Sequence, residues 1–481
     1  MVNLIKLVAK LHVPLILIGL FYFDSVAQET IVIRDVNLIS MCDPSKPLDA
    51  KMDILITGDR FKKIGPNGSF QIPNDAVIVE GKGLFMIPGL ADAHVHFDFD
   101  PPATEESQFV HEENDILRRL FLLHGVTFVR SMWGSPNIVR LRDDCRDGKI
   151  LGPTIVTTGP LLSASSVGPV RKLEDEQDVL AVLADHEKFK YDALKIHSKP
   201  SEAAVRLLFL EAGKRNIPVY GHLPFSVNAT VMLSFPELKS IEHLDTIVGT
   251  CVRDDSNAKE SRWPDLMKMY DEQDAAKQQQ WAKLAANSNK WFCPTLMASQ
   301  VDALSTDEFG ARLKQVAATK LVSSKTLGHW QNSLAYEKTL YEKSGIRLKS
   351  LYQAPCDIMS EFIRAKVKIV AGTDTPVRPG VAGQVLHAEL SEYVRLNMSP
   401  WAAIQTATAN VSEMVGGEFG KIEAGLFADA VLLRDNPLES IGNLEQIESV
   451  IVRGKVLNRN QLDRLELEVK QLVQQKNLDS R

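Results

Sequence analysis

Apolar and polar positions divide the chain into stretches of different period. From Ile31 to Phe85, short apolar runs at Ile31–Arg34, Met52–Ile56 and Ala76–Glu80 are separated by Gly58-Asp59 and Pro66-Asn67-Gly68. That pattern predicts strands joined by tight turns. Through the middle of the chain eight apolar runs alternate with helical stretches: Leu84–Ile87, Val126–Arg130, Thr154–Thr157, Ala193–Ile196, Pro218–Tyr220, Ser240–Ile241, Trp291–Phe292 and Lys368–Ala371. Eight buried strands, each followed by helix, predict an α/β protein built on a (β/α)8 TIM barrel. The polar-rich stretch Ser299–Ser350 reads as a helical insertion after the seventh strand. Strand-like runs return at Ala430–Leu433 and Val450–Arg453, and Leu462, Leu465, Val469, Leu472 and Val473 then recur at helical spacing. The predicted organisation is a barrel over 86–416, a small composite β-sandwich domain formed by 28–85 and 417–460, and a C-terminal helix over 461–481.

Composition changes this picture mainly at the N-terminus. Lys6 and Lys10 precede an apolar stretch from Leu11 to Phe23, and Ser25-Val26-Ala27 follows. The stretch is short of the roughly 20 residues that span a bilayer, so 1–27 reads as a signal peptide cleaved near Ala27, with an uncleaved N-terminal anchor as the alternative. The expected location is therefore the periplasm or the exterior, with no membrane attachment after cleavage. The 55 Lys+Arg and 61 Asp+Glu give a net charge of −6, which provides no electrostatic reason to bind nucleic acid. The five cysteines form no Cys-x-x-Cys pair, which excludes a finger-type thiolate zinc site.

The chemistry collects at the ends of the barrel runs. Residues i and i+2 of a strand share a face, so His94 and His96 of the first strand can share one metal. Lys195 and His197 end the fourth run, His222 the fifth, His243 the sixth and Asp374 the eighth. Carboxyl ends of barrel strands are where active sites of this fold are built.

With these residues in place, the chain from about 30 to 458 resembles the metal-dependent amidohydrolase superfamily, in its prolidase-like and imidazolonepropionase-related branch. The resemblance rests on Ile87-Pro88-Gly89-Leu90 leading to His94 and His96, on Lys195, His222 and His243, on Gly372-Thr373-Asp374, and on Gly420–Gly425 with Ala428-Asp429. It implies a secreted bacterial hydrolase of carbon–nitrogen bonds in linear or cyclic amides, including prolidase-like dipeptides. It also implies two divalent ions, zinc by preference. His94, His96, Lys195 and Asp374 would hold one, and Lys195, His222 and His243 the other. Lys195 would be an N6-carboxylysine made with carbon dioxide, Asp374 the catalytic base, and a metal-bridging hydroxide the nucleophile. The chain departs from the branch at Ser163–Gly168, where relatives carry Gly-Gly-His.

A lactonase or other ester hydrolase would share this metal centre, and a non-catalytic binding protein would share the fold. A deaminase would carry Glu three residues after His222, where Phe225 stands. Arg130, His197 and His387 are further candidates for contacts to substrate or to the metal ligands, and Glu389 for a contact beside them. The expected partner is a small amide substrate, with a homo-oligomer as the expected assembly. Asp98, Asp100, Glu105, Glu106, Glu112, Glu113 and Asp115, without a Lys or Arg among them, suggest an acidic rim that favours cationic substrates.

Overall fold

The computed structural model describes residues 29–97, 108–164, 170–254 and 268–479. The signal-peptide reading of 1–27, the acidic positions Asp98 to Glu106 and the loop positions 165–168 lie outside the described residues. No helix among the described residues is long and apolar enough to cross a membrane.

Eight parallel strands stand side by side in sequence order: Leu90–Val95, Val126–Ser131, Thr154–Ser163, Ala193–Ile196, Val219–Gly221, Leu238–Glu242, Trp291–Cys293 and Lys368–Ile369. Backbone bonds join the ends of the series. Ala93 N–H donates to Ala371 O at 2.9 Å and Asp374 N–H to His94 O at 2.8 Å. Closure demands close approach at Gly372, where a Cβ would lie 2.5 Å from Cys293 Sγ and 2.7 Å from His94 Cβ. The strands are short and apolar on both faces, as expected of parallel strands with barrel interior on one side and helices on the other.

The first barrel strand differs from the sequence expectation. The run Leu84–Ile87 overlaps Phe85–Pro88, which belongs to the second sheet, where it pairs with Ala430–Leu433 and with Asn37–Leu38. The barrel begins at Leu90 instead. Pro88 lacks a backbone donor, and a Cβ on Gly89 would meet Thr127 Oγ1 at 2.1 Å. The two residues break one apolar run into two strands of different sheets.

The second sheet has eight strands, from Thr30–Leu38 to Lys455–Asn458, and draws on both ends of the chain. Its core includes Ile33, Val36, Ile54, Ile56, Met86, Ala430, Leu432 and Ile451. A helix over Arg459–Asp479 follows, burying Leu462, Leu465, Val469 and Val473. The polar stretch after the seventh strand is helical over Leu296–Asp302, Thr306–Ala318 and Ser324–Ser344. Ser305 and Glu308 cap the second of these reciprocally.

Candidate metal centre

The carboxyl ends of strands one, four, five, six and eight bring a set of donors to one place. His94 lies beneath, its ring centroid 5.2 Å from that of His96 and 4.7 Å from that of His243. His222 completes the row, 4.7 Å from His243. Lys195 Nζ is 3.0 Å from His94 Nε2. Asp374 Oδ1 is 2.8 Å from His96 Nε2 and 3.3 Å from His94 Nε2. Single donor atoms of His94, His243 and Asp374 fall within 4.8 Å of one another.

Local backbone geometry makes the convergence work. His243 and Asp374 both have left-handed backbone, with φ of 62° and 60°. Non-glycine residues in that region are held there by their surroundings, and they cluster at functional sites. Gly221 has φ of 141°, and a Cβ there would lie 2.0 Å from Ile196 O. Its absence allows His222 N–H to reach Ile196 O at 3.0 Å.

The imidazoles are oriented from behind. Glu242 Oε2 bonds His94 Nδ1 at 2.7 Å, Ser198 Oγ bonds His222 Nδ1 at 3.2 Å and Thr295 Oγ1 bonds His243 Nδ1 at 2.7 Å. Each partner occupies Nδ1 and leaves Nε2 for the centre. Glu242 is itself fully buried and is paired with Arg130, whose Nη2 donates at 2.7 Å. Arg130 also donates through Nε to Ala93 O and through Nη1 to Ser240 Oγ, and stacks over Tyr220.

Burial sets the charge states. It drives the pKa of His94 and His222 well below the ordinary histidine value and lowers that of His96. Three neutral imidazoles are the form that ligates metal. Burial also lowers Lys195 to about 8, against opposing attraction from Asp374 and Glu242. For Asp374 burial acts upward, but the bond from His96 and the surrounding positive groups outweigh it and hold the carboxyl below its usual range.

Six sequence-predicted ligands, His94, His96, Lys195, His222, His243 and Asp374, thus stand together. His197 packs its ring 4.2 Å from that of His222. Arg130 does not face substrate: it is fully buried and spent on Glu242, Ser240 and Ala93. His387 is also elsewhere, because the helix Gln384–Arg395 turns its buried face toward the helix after the first strand. There His387 Nε2 bonds His124 O at 2.9 Å. Glu389 caps Leu296 and Met297 rather than reaching the cluster. The acidic segment is partly neutralised where it is described: Asp115 pairs with Arg118 and Arg119, and Glu113 with Lys476. Sequence reasoning missed Glu242, Ser198 and Thr295. Glu242 adjoins His243, and its place on a fully buried strand was the available signal.

Two consequences concern stability. Arg130→Met would strand the Glu242 carboxylate in the barrel, and breaking a buried pair on one side costs about 3–5 kcal/mol. Urea unfolding is expected to show that loss, with part of it recovered in Arg130→Met/Glu242→Gln. The second consequence is acid sensitivity. Burial lowers His124 to about 3 and His387 to about 4, while the unfolded chain titrates near 6.5. The unfolded state therefore binds more protons below pH 6.5, and stability falls as pH drops from there toward 4. Each histidine contributes up to about 1.4 kcal/mol per pH unit. His124→Phe is expected to flatten the slope of unfolding free energy between pH 6 and 5; a slope equal to wild type would exclude this pair as its source.

A parallel barrel with paired histidines on its first strand, a buried lysine on the fourth and an aspartate after the eighth defines a metal-dependent hydrolase architecture. Residues 85–247 match the Amidohydrolase family model. Dihydroorotase from Lactococcus lactis subsp. lactis (strain IL1403) is 43% identical over 68 residues, which are 14% of this chain and 15% of that protein. The chain thus aligns with only a small part of that curated relative. Among solved structures, bottromycin amidohydrolase is similar at a TM-score of 0.71 and 23% identity, covering 92% of this chain and 90% of its own. A Xaa-Pro dipeptidase with bound methionine in its active site gives 0.64 and 18%, covering 89% of this chain and 100% of its own. These two likenesses are ones of fold.

Proposed function

We propose that the protein is a metal-dependent hydrolase of carbon–nitrogen bonds in linear or cyclic amides. The observation that carries this reading is the convergence of His94, His243 and Asp374 within 4.8 Å, with Lys195 Nζ 3.0 Å from His94 Nε2. The donor set fits two divalent ions of the zinc type: the imidazoles of His94, His96 and His222 held neutral by burial, and an aspartate held ionised. His94, His96, Lys195 and Asp374 would hold one, and Lys195, His222 and His243 the other. When bound, such a pair lowers the pKa of water and polarises a carbonyl.

The chain's own groups supply the rest. Lys195, lowered to about 8, has a neutral amine within reach at physiological pH. That amine would add to carbon dioxide to give a carbamate and a released proton, supplying an anionic ligand. Asp374, at the centre of the cluster, takes the proton of the attacking water and delivers it to the departing nitrogen. Glu242, Ser198 and Thr295 keep three imidazoles in the required tautomer. Trp133 stands edge-on to His96 at 5.9 Å between ring centroids.

The test is metal analysis of the purified chain, followed by turnover of dipeptides, N-acyl amino acids, cyclic imides and lactones by the zinc-loaded protein. Zinc-dependent amide cleavage is expected. A preparation that binds no divalent metal, or one that turns over lactones alone, would overturn the reading.

A further inference from the structure

The helical insertion after the seventh strand enters the proposed reaction only through Thr295 at its N-terminal edge. Its first helix, Leu296–Asp302, touches the centre's supports at both ends. At the N-terminal end Thr295, with left-handed backbone of φ 51°, bonds His243 Nδ1 at 2.7 Å. Leu296 N–H and Met297 N–H both donate to the buried Glu389 carboxylate, each at 2.8 Å. That end is therefore pinned to the helix following the eighth strand.

At the other end Asp302 binds Arg378, which donates through Nε at 2.6 Å and through Nη2 at 3.3 Å. Arg378 stands four residues after Asp374, and its Nη2 also reaches Glu337 of the insertion at 3.1 Å. Between them, Val377 N–H closes onto Asp374 O at 2.8 Å, and Trp330 Nε1 donates to Pro376 O at 2.7 Å. An aspartate in the last turn of a helix opposes the helix dipole. Its presence here is explained by the planar, two-point grip it offers a guanidinium.

One seven-residue helix, about 10 Å long, therefore spans from the orienter of His243 to the anchor of the Asp374 loop. Both of those residues have left-handed backbone that must be held from outside. We infer that Leu296–Asp302 is a strut that fixes the spacing of His243 and Asp374, with Thr295 and Asp302 as positioning residues that act on metal affinity together rather than separately. The inference rests on the metal reading proposed above.

Zinc affinity is measured by competition with a chelating chromophore on the full chain, for wild type, Thr295→Val, Thr295→Ser, Asp302→Asn and the Thr295→Val/Asp302→Asn double variant. Thermal unfolding and circular dichroism serve as checks on folding. Thr295→Val and Asp302→Asn are each expected to weaken zinc binding by about 10–100-fold, the range for loss of a ligand's supporting contact. Thr295→Ser keeps the hydroxyl and is expected to stay near wild type. The double variant is expected to lose less than the product of the single losses, because releasing either end already frees the strut. Multiplicative losses would show two independent contacts and overturn the strut, as would unchanged affinity in folded Thr295→Val and Asp302→Asn. Should Thr295→Val fail to fold, Thr295→Ala replaces it in the same cycle. Wild type that binds no zinc would refute the underlying metal reading, a result distinct from either failure of the strut.

Discussion

Lys195→Ala is expected to lower bound metal from about two ions per chain toward one or none and to abolish turnover. Lys195 ends the fourth strand, buried, with Nζ 3.0 Å from His94 Nε2. Among the described residues, the cluster's one other acid that reaches its open face is Asp374; Glu242 lies behind His94 and is engaged by Arg130. Two dications a few ångströms apart repel strongly in a low-dielectric pocket, and one carboxylate does little to offset that. A carbamate on Lys195 would add the second negative charge between them. The check is metal content together with intact mass under mild conditions, where the wild type should carry the added mass of carbon dioxide. Formate or acetate is expected to restore part of the activity by occupying the space of the missing bridge. Two tightly held ions and full activity in the alanine variant would place the bridge elsewhere.

Asp374→Asn is expected to leave the fold intact and reduce kcat by about 10²–10⁴-fold, the usual worth of general acid–base catalysis. The change preserves shape and can keep a hydrogen bond to His96 Nε2, now 2.8 Å away. It removes the proton acceptor and one unit of negative charge. Because the wild-type carboxyl is held below its usual range by His96 and nearby positive groups, the base stays ionised through the neutral range, and loss of activity on acidification should follow other groups first. Steady-state kinetics with zinc content measured on the same sample separates lost catalysis from lost metal. Activity within about tenfold of wild type would remove Asp374 from the proton-transfer role.

The ligands were readable because each is a polar residue closing an apolar run, and the barrel maps such run ends to a single face. Lys195, His222 and His243 are of this kind. The pairing of their supports was not readable. Arg130 stood out as a candidate, but that it reaches Glu242 from 112 residues away, and that Thr295 reaches His243 from 52 residues away, follows from no local period. His387 stood close to Asp374 in sequence, but helical rotation carried it to the opposite side, onto His124. The offset of the first strand had another cause: Leu84–Ile87 is the more continuous apolar run, since Leu90–Val95 carries Asp92 and His94, and pairing with Asn37–Leu38 and Ala430–Leu433, distant in sequence, draws Phe85–Pro88 into the second sheet.

Those late partners bear on synthesis. Phe85–Pro88 lies between Asn37–Leu38 and Ala430–Leu433 in one sheet, and the barrel begins just two residues later. At roughly 5–20 residues per second, the ribosome needs on the order of 20–70 s after making Phe85 before Ala430 emerges. Throughout that interval the strand has an unpaired edge and an apolar face including Met86, which is fully covered in the finished protein. The whole barrel is translated while this seam stays open. A chain interrupted before Val431 would retain its metal-ligand residues yet lack the strand that seals the entry to the first barrel strand.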